Sequence, residues 1–264
     1  MDVSEIVTGH YGRLDLTAAI LGALTERGVD VEALRPQDLT GLDQLHAGFA
    51  PATQYVLDSL DAGPGVRLLD VGSGIGGPAR MAAAAGAHVT GVDLTPAFVE
   101  TASALTARVG LSDRATFQVA PGDVLPCPDA CFDAAMMIHV GMNVPDKQAL
   151  FAEVRRALVH GGRFAIYDQM RAEDGELPWP LPWADDERSS FVERPEEYAG
   201  HLAAAGFTVD SIEDRTKAVA GPPPGGGPGN ATVLGPDFLA RIGNNVAAGN
   251  AGLLAAVLVV AVAT

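Results

Sequence analysis

The chain has 264 residues, 48% of them hydrophobic, with a mean hydropathy of +0.18. That size suits one domain with embellishments around a two-sided sheet core, and the composition excludes disorder over most of the length. With 17 Lys and Arg against 33 Asp and Glu, the formal charge is −16, and no nucleic-acid partner is expected, since its phosphates call for a basic surface.

Met1–Gly9 lacks a basic start followed by an apolar run, so a cytoplasmic protein without a secretory signal is expected. The apolar stretch Leu253–Ala263 is far shorter than the roughly 20 residues of a membrane span and reads as a buried strand, so no membrane partner is expected. Cys127 and Cys131 have no further Cys or His nearby, which makes them ordinary thiols and leaves no metal expected.

Leu14–Arg27 has apolar residues at helical spacing and stops at Gly28. Residues 1–48 are expected to form a helical lid or cap segment, ahead of a domain over 49–264. Strand Val66–Val71 opens a β/α alternation: helix Gly77–Ala85, strand His88–Val92, helix Pro96–Val109 with Pro at its start, strands Ala115–Val119 and Phe132–Ile138. Helix Pro145–Leu158 is expected to end at the His160-Gly161-Gly162 glycine stop, before strand Arg163–Tyr167. The proline- and tryptophan-bearing segment Arg171–Arg194 breaks the alternation and reads as a cap insertion. Helix Pro195–Ala205, strand Phe207–Ile212, a glycine-proline loop at Gly221–Gly229, helix Pro236–Ala248 and strand Leu254–Val262 complete the chain. The pattern predicts an α/β, Rossmann-like, seven-stranded and mostly parallel sheet, helices on both faces, with the last strand antiparallel.

Leu68–Gly77 carries the most information. Gly72, Gly74 and Gly77 satisfy G-x-G-x-x-G between a strand and a helix, a nucleotide-binding turn. Asp70 separates the two cofactor classes that use it. A carboxylate two residues before the first glycine repels the pyrophosphate of NAD, whereas the ammonium and sulfonium of S-adenosylmethionine favour it. Asp93 stands 21 positions after Gly72, where an acid accepts from ribose hydroxyls. Asp123 follows the third strand, placed for an adenine amino group. Three acids, each just past a successive strand, converge on the sheet edge where open α/β folds bind ligands.

From about Gly41 to Leu158 the chain resembles the class I S-adenosylmethionine-dependent methyltransferases. Leu68–Arg80, Gly91–Thr95, Pro121–Asp133 and Phe151–Gly162 carry the likeness, with Cys127 and Cys131 where the family has Phe and Ser. The small-molecule branch with sarcosine/dimethylglycine, phosphoethanolamine, sterol and quinone methyltransferases is the most similar. The resemblance implies Asp70, Gly72, Ser73 and Gly74 around the methionine part, Asp93 and Leu94 at the ribose, and Asp123 with Val124 at adenine. It also implies a small-molecule methyl acceptor, with an amine as a first expectation and specialised-metabolite tailoring beside it.

Methyl transfer from a sulfonium needs alignment and exclusion of water more than a general base. His139, just past the fourth strand, is the catalytic candidate, either toward the acceptor or packed on the cofactor. Met142 lies beside it, and Asn143 either orients the acceptor or caps the following helix. Gln44 and His46 either touch the methionine part or sit at the surface, and Tyr11 and Phe49 either belong to the lid or acceptor wall or are packed aromatics. Trp179 and Trp183 either line the acceptor pocket or staple the cap to the core, and Arg188 and Arg194 either hold an anionic acceptor or are surface charges. Active transfer is the leading reading. A cofactor-retaining protein that catalyses a rearrangement is the alternative, and a nicotinamide oxidoreductase ranks third.

Overall fold

A strand buried on both faces reads as a near-continuous apolar run, and Leu68–Val71 is one, broken only by Asp70. In the computed structural model of the chain, which describes residues 15–219 and 237–264, this strand exposes only Arg67. In chain order the elements are α1 (Leu16–Glu26), α2 (Pro36–Leu39), α3 (Phe49–Ser59), β1 (Arg67–Val71), α4 (Gly77–Ala84), β2 (His88–Asp93), α5 (Pro96–Arg108), β3 (Ala115–Val119) and β4 (Phe132–Ile138). Then come α6 (Lys147–Ala157), β5 (Leu158–Arg171), α7 (Pro195–Ala204), β6 (Phe207–Asp214), α8 (Thr216–Val219), α9 (Asp237–Asn250) and β7 (Leu254–Ala263), with single 3₁₀ turns at Gly141–Asn143 and Glu187–Ser189.

The strands form one seven-stranded sheet in the order β3-β2-β1-β4-β5-β7-β6. Pairing is parallel from β3 through β5, while β7 runs antiparallel to both β5 and β6. This is the expected architecture, and it explains the composition of β7. Inserted between two strands and covered on both faces, its run Leu254–Ala263 has no solvent-facing side to make polar. Among the described residues no helix is long and apolar enough to cross a membrane.

One face of the sheet packs on Phe151 and Val154 of α6 and Tyr198 and Leu202 of α7. The other packs on Val56 and Leu57 of α3 and on Ala79, Ala82 and Ala83 of α4. Residues ahead of α3 bury Leu16, Ile20, Leu24, Leu39 and Leu42 against Ile75, Phe98 and Leu105, each such side chain contributing roughly 1.5–3 kcal/mol. A buried ion pair fixes this docking: Arg80 Nη2 donates to Asp43 Oδ2 at 2.9 Å, and Arg80 Nη1 donates to Thr106 Oγ1 at 3.2 Å. Gly77 allows the approach, because a Cβ there would collide with the Asp43 carbonyl oxygen.

The glycine stop after α6 differs from expectation. Leu158 is already extended, and β5 spans 14 residues instead of the five of Arg163–Tyr167. Gly161 and Gly162 sit inside that strand at a register shift, where pairing passes from Phe132↔Leu158 to Ala134↔Arg163. Gly161 takes φ +80, and a Cβ on Gly162 would stand 3.0 Å from the carbonyl oxygens of Asp133 and Val159. The glycines therefore serve a bulge rather than a helix end. The expected loop Gly221–Gly229 and Tyr11 lie outside the described residues.

Candidate active site

A cavity of about 440 Å3 opens at the carboxyl edge of the sheet, within the range of small-molecule sites. The turn after β1 forms one end. Gly72 and Gly74 take positive φ, +71 and +53, and a Cβ on Gly74 would meet nothing within 4 Å. The turn thus leaves open space where a bulkier residue would intrude. Asp93, at the end of β2, is fixed by two backbone donors: Gly74 N–H reaches Oδ2 at 2.8 Å and Thr95 N–H reaches Oδ1 at 2.9 Å. Leu94, Thr95, Phe98, Gly122 and Asp123 continue this wall.

Asp70 and Ser73 lie beneath the turn, both buried, and Asp70 Oδ2 and Ser73 Oγ make no hydrogen bond among the described residues. Burial, with the Asp93 carboxylate nearby, pushes Asp70 up to about 8. Desolvation also raises Asp93. A bound cation relieves both, because positive charge favours the carboxylate forms. These residues fit S-adenosylmethionine: hydroxyl acceptors on Asp93, a glycine cradle, and a buried carboxylate that gains from a cation. Among the described residues no group of three or more His, Cys, Asp or Glu is placed to hold a metal ion.

His139 stands where β4 ends. Its backbone turns to φ +56, an uncommon conformation for a residue with a Cβ, while its N–H donates to Tyr167 O at 2.8 Å. The half-buried ring lines the cavity, and its Nε2, a buried atom, makes no hydrogen bond among the described residues. Desolvation, then the nearby His46, holds the His139 pKa well below the ordinary value, so the ring is neutral at pH 7. His46, His139 and Tyr167 form a cluster with ring centroids 5.3–6.2 Å apart.

The wall after His139 is anchored from behind. Gly141 N–H donates to Asp168 Oδ2 at 2.8 Å, and the Tyr198 hydroxyl donates to the same oxygen at 3.0 Å. Burial pushes Asp168 up to about 7 against these donors. Lys147, fully buried, donates through Nζ to Val144 O at 3.1 Å and Phe191 O at 2.6 Å. Phe191 N–H returns a bond to Met142 O at 2.8 Å, and Trp183 Nε1 donates to Ser190 Oγ at 2.9 Å. The cap is thereby stitched to the loop that carries Met142, Asn143 and Val144.

The structure brings Gly72, Gly74, Asp93, Leu94, Asp123, His139, Met142, Asn143 and Trp183 onto one cavity. The other candidates stand apart from its lining. Val124 is 65% exposed, and Phe49 begins α3 at φ +50. Trp179 packs in the apolar cluster beneath the cap. Gln44 and His46 are not at the surface. Both are buried and bonded inward: the Thr53 hydroxyl donates to Gln44 Oε1 at 2.6 Å, and His46 Nε2 lies 2.9 Å from Thr53 Oγ1. Between them, Leu45 reaches the cavity. Asn143 does not cap α6, since the Asp146 side chain accepts from Ala149 N–H and holds that position. Arg188 pairs with Asp186, and Arg194 pairs with Asp174 and donates to the Ala172 carbonyl.

Sequence reasoning missed Leu45, Phe98, Pro182 and Phe238 on the lining, and Asp168 and Lys147 behind it. Asp168 follows Tyr167, the expected end of the fifth strand, but in the structure it lies inside β5 and pairs with Val257 of β7. Lys147, one of two lysines beside 15 arginines, marks itself by rarity. Phe238 carries no such signal.

Comparisons with known proteins agree with this geometry. The family model for a methyltransferase domain matches residues 69–166. The 27-O-demethylrifamycin SV methyltransferase of Amycolatopsis mediterranei is 32% identical over 222 residues, 80% of this chain and 76% of that protein. A sterol 24-C-methyltransferase of Gibberella zeae is 35% identical over 120 residues, and the match spans 45% of this chain and only 32% of that protein. Among solved structures, a geranyl diphosphate C-methyltransferase from Streptomyces coelicolor superposes with TM-score 0.72 at 18% identity, covering 100% of this chain and 99% of that one. The cyclase SpnF superposes with TM-score 0.71 at 22% identity over 98% and 96% of the two chains. With a relative at this identity and coverage, and the glycine turn and its acids in place, the chain belongs to the class I S-adenosylmethionine-dependent methyltransferases.

Proposed function

We propose that the protein transfers a methyl group from S-adenosylmethionine to an oxygen of a small molecule held between His139 and the cap. The observation that carries this reading is that the glycine turn with Asp93 and the His139 ring line the same cavity. Asp93 holds the ribose hydroxyls, Asp123 the adenine amino group, and the Asp70 carboxylate balances the positive charge. Residues 15–48 act as the lid, through Leu45. When bound, S-adenosylmethionine supplies an electrophilic methyl whose bond to sulfur breaks with both electrons passing to sulfur. His139, neutral because of its burial, accepts the proton that the acceptor hydroxyl gives up as its oxygen bonds the methyl carbon. The Met142–Val144 wall and Trp183 align the acceptor and exclude water. The relative named for 27-O-demethylrifamycin SV supports oxygen as the acceptor atom.

The test is S-adenosylhomocysteine formation from S-adenosylmethionine with pooled alcohols, phenols, amines, quinones and prenyl phosphates. Product above the no-acceptor control in an alcohol or phenol pool is expected. Product confined to the amine pool would refute oxygen transfer. Silence in every pool with cofactor binding intact would favour the rearrangement reading. The likeness to the cyclase SpnF, at 22% identity, speaks only to fold.

A further inference from the structure

Resting on the transfer reading, we infer that the acceptor is an uncharged, largely apolar alcohol or phenol, and that the site discriminates against phosphate, carboxylate and ammonium acceptors. Away from the wall of Asp93, Thr95 and Asp123, the lining is apolar: Met142, Val144, Pro182, Trp183 and Phe238, with the neutral amide of Asn143 and the neutral ring of His139 as its polar groups. No Lys or Arg lines the cavity among the described residues.

The nearby cations are already engaged. Lys147 is spent on two backbone carbonyls behind the wall and lies 3.5 Å from Glu193. Arg171 donates to the Gly175 carbonyl, and Arg188 pairs with Asp186. Arg194 pairs with Asp174, and Arg241 pairs with Asp185 while donating to Leu181 O. An anionic acceptor entering the cavity would lose its hydration without gaining a counter-ion, and among the described lining residues an ammonium would find no carboxylate beyond those assigned to the cofactor.

A hydroxyl suits the same surroundings. It is neutral when it enters, it donates a hydrogen bond to the imidazole lone pair, and it carries its proton to that lone pair as the methyl bond forms. The donor's sulfonium charge disappears in the same event, so His139 gains positive charge as the sulfur loses it, and the net charge of the site is unchanged. This differs from the superposing geranyl diphosphate C-methyltransferase, which is described in complex with Mg2+ and geranyl-S-thiolodiphosphate.

Calorimetric titration of the protein saturated with S-adenosylhomocysteine tests this without requiring turnover. The probes are phenethyl alcohol against phenethylamine and phenylacetate, and geraniol against geranyl diphosphate with Mg2+. The expected result is binding of at least one alcohol, with its charged counterparts weaker by about 100-fold or more, the factor an uncompensated buried charge imposes. A charged member binding as tightly as its alcohol overturns the proposal. So does the failure of every alcohol to bind while S-adenosylhomocysteine still does. Absence of methylated product with the ranking intact would count against transfer alone.

Discussion

The two ends of the cavity are assembled differently. At the cofactor end, Gly72, Gly74, Asp93 and Asp123 each lie just past a strand, and parallel neighbours carry them to one edge regardless of what the loops do. At the acceptor end, Leu45, Met142, Trp183 and Phe238 come from four distant segments, held by a buried ion pair on one side and a buried lysine on the other. Conserving the first end takes only a sheet and short turns. The second depends on side chains that fasten loops, so its shape is free to change while the cofactor stays in place.

The sharpest way to break that comparison is to cut the fasteners. Arg80→Met strands the Asp43 carboxylate in the interior and should cost about 3–5 kcal/mol in denaturant unfolding. A loss under about 1 kcal/mol would rank the pair with solvent-exposed ones and remove it as an anchor. At the cofactor end, Asp93→Ala should weaken S-adenosylhomocysteine binding by roughly 1–3 kcal/mol in calorimetry, the scale of lost charged hydrogen bonds. Unchanged affinity would mean that the ribose is held elsewhere.

Lys147→Met leaves the Val144 and Phe191 carbonyls without their donor, for an expected loss of about 1–3 kcal/mol in stability. Its signature is separation of the two ends. Amide exchange at Met142–Val144 and Phe191 should accelerate while S-adenosylhomocysteine affinity holds. Equal loss at both ends would show that the ends are coupled after all.

The gentlest probe is pH. With Asp70 pushed up to about 8, the folded cofactor-free protein keeps a proton there that the unfolded chain releases near the ordinary carboxylate value. Stability of the cofactor-free protein therefore falls as pH rises through that window, since the folded state binds more protons. A bound cation favours the carboxylate, so cofactor affinity should climb toward pH 8, by less than about tenfold per unit. Calorimetry in buffers of differing ionisation enthalpy should detect proton release, and Asp70→Asn should abolish the slope. A flat profile in the unaltered protein would remove Asp70 from the electrostatics of binding.

The sequence by itself determined the sheet and the glycine turn at its carboxyl edge. Period and punctuation are local properties, so unbroken apolar runs, prolines at helix starts and acids after strands were legible without tertiary information. The apolar run of β7 announced a doubly covered strand in the same way. Only the tertiary structure decided the rest. Gly161 and Gly162 look like a helix stop until strand pairing begins at Leu158 and makes them a bulge. Asn143 looks like a cap until Asp146 takes the role. Gln44 and His46 turn inward to Thr53 while their neighbour Leu45 faces the cavity. Phe238 reaches the same cavity from a helix far along the chain. In each case the outcome depends on which of two competing partners comes within hydrogen-bond or van der Waals reach, and that distance is set by the packing of segments remote in sequence.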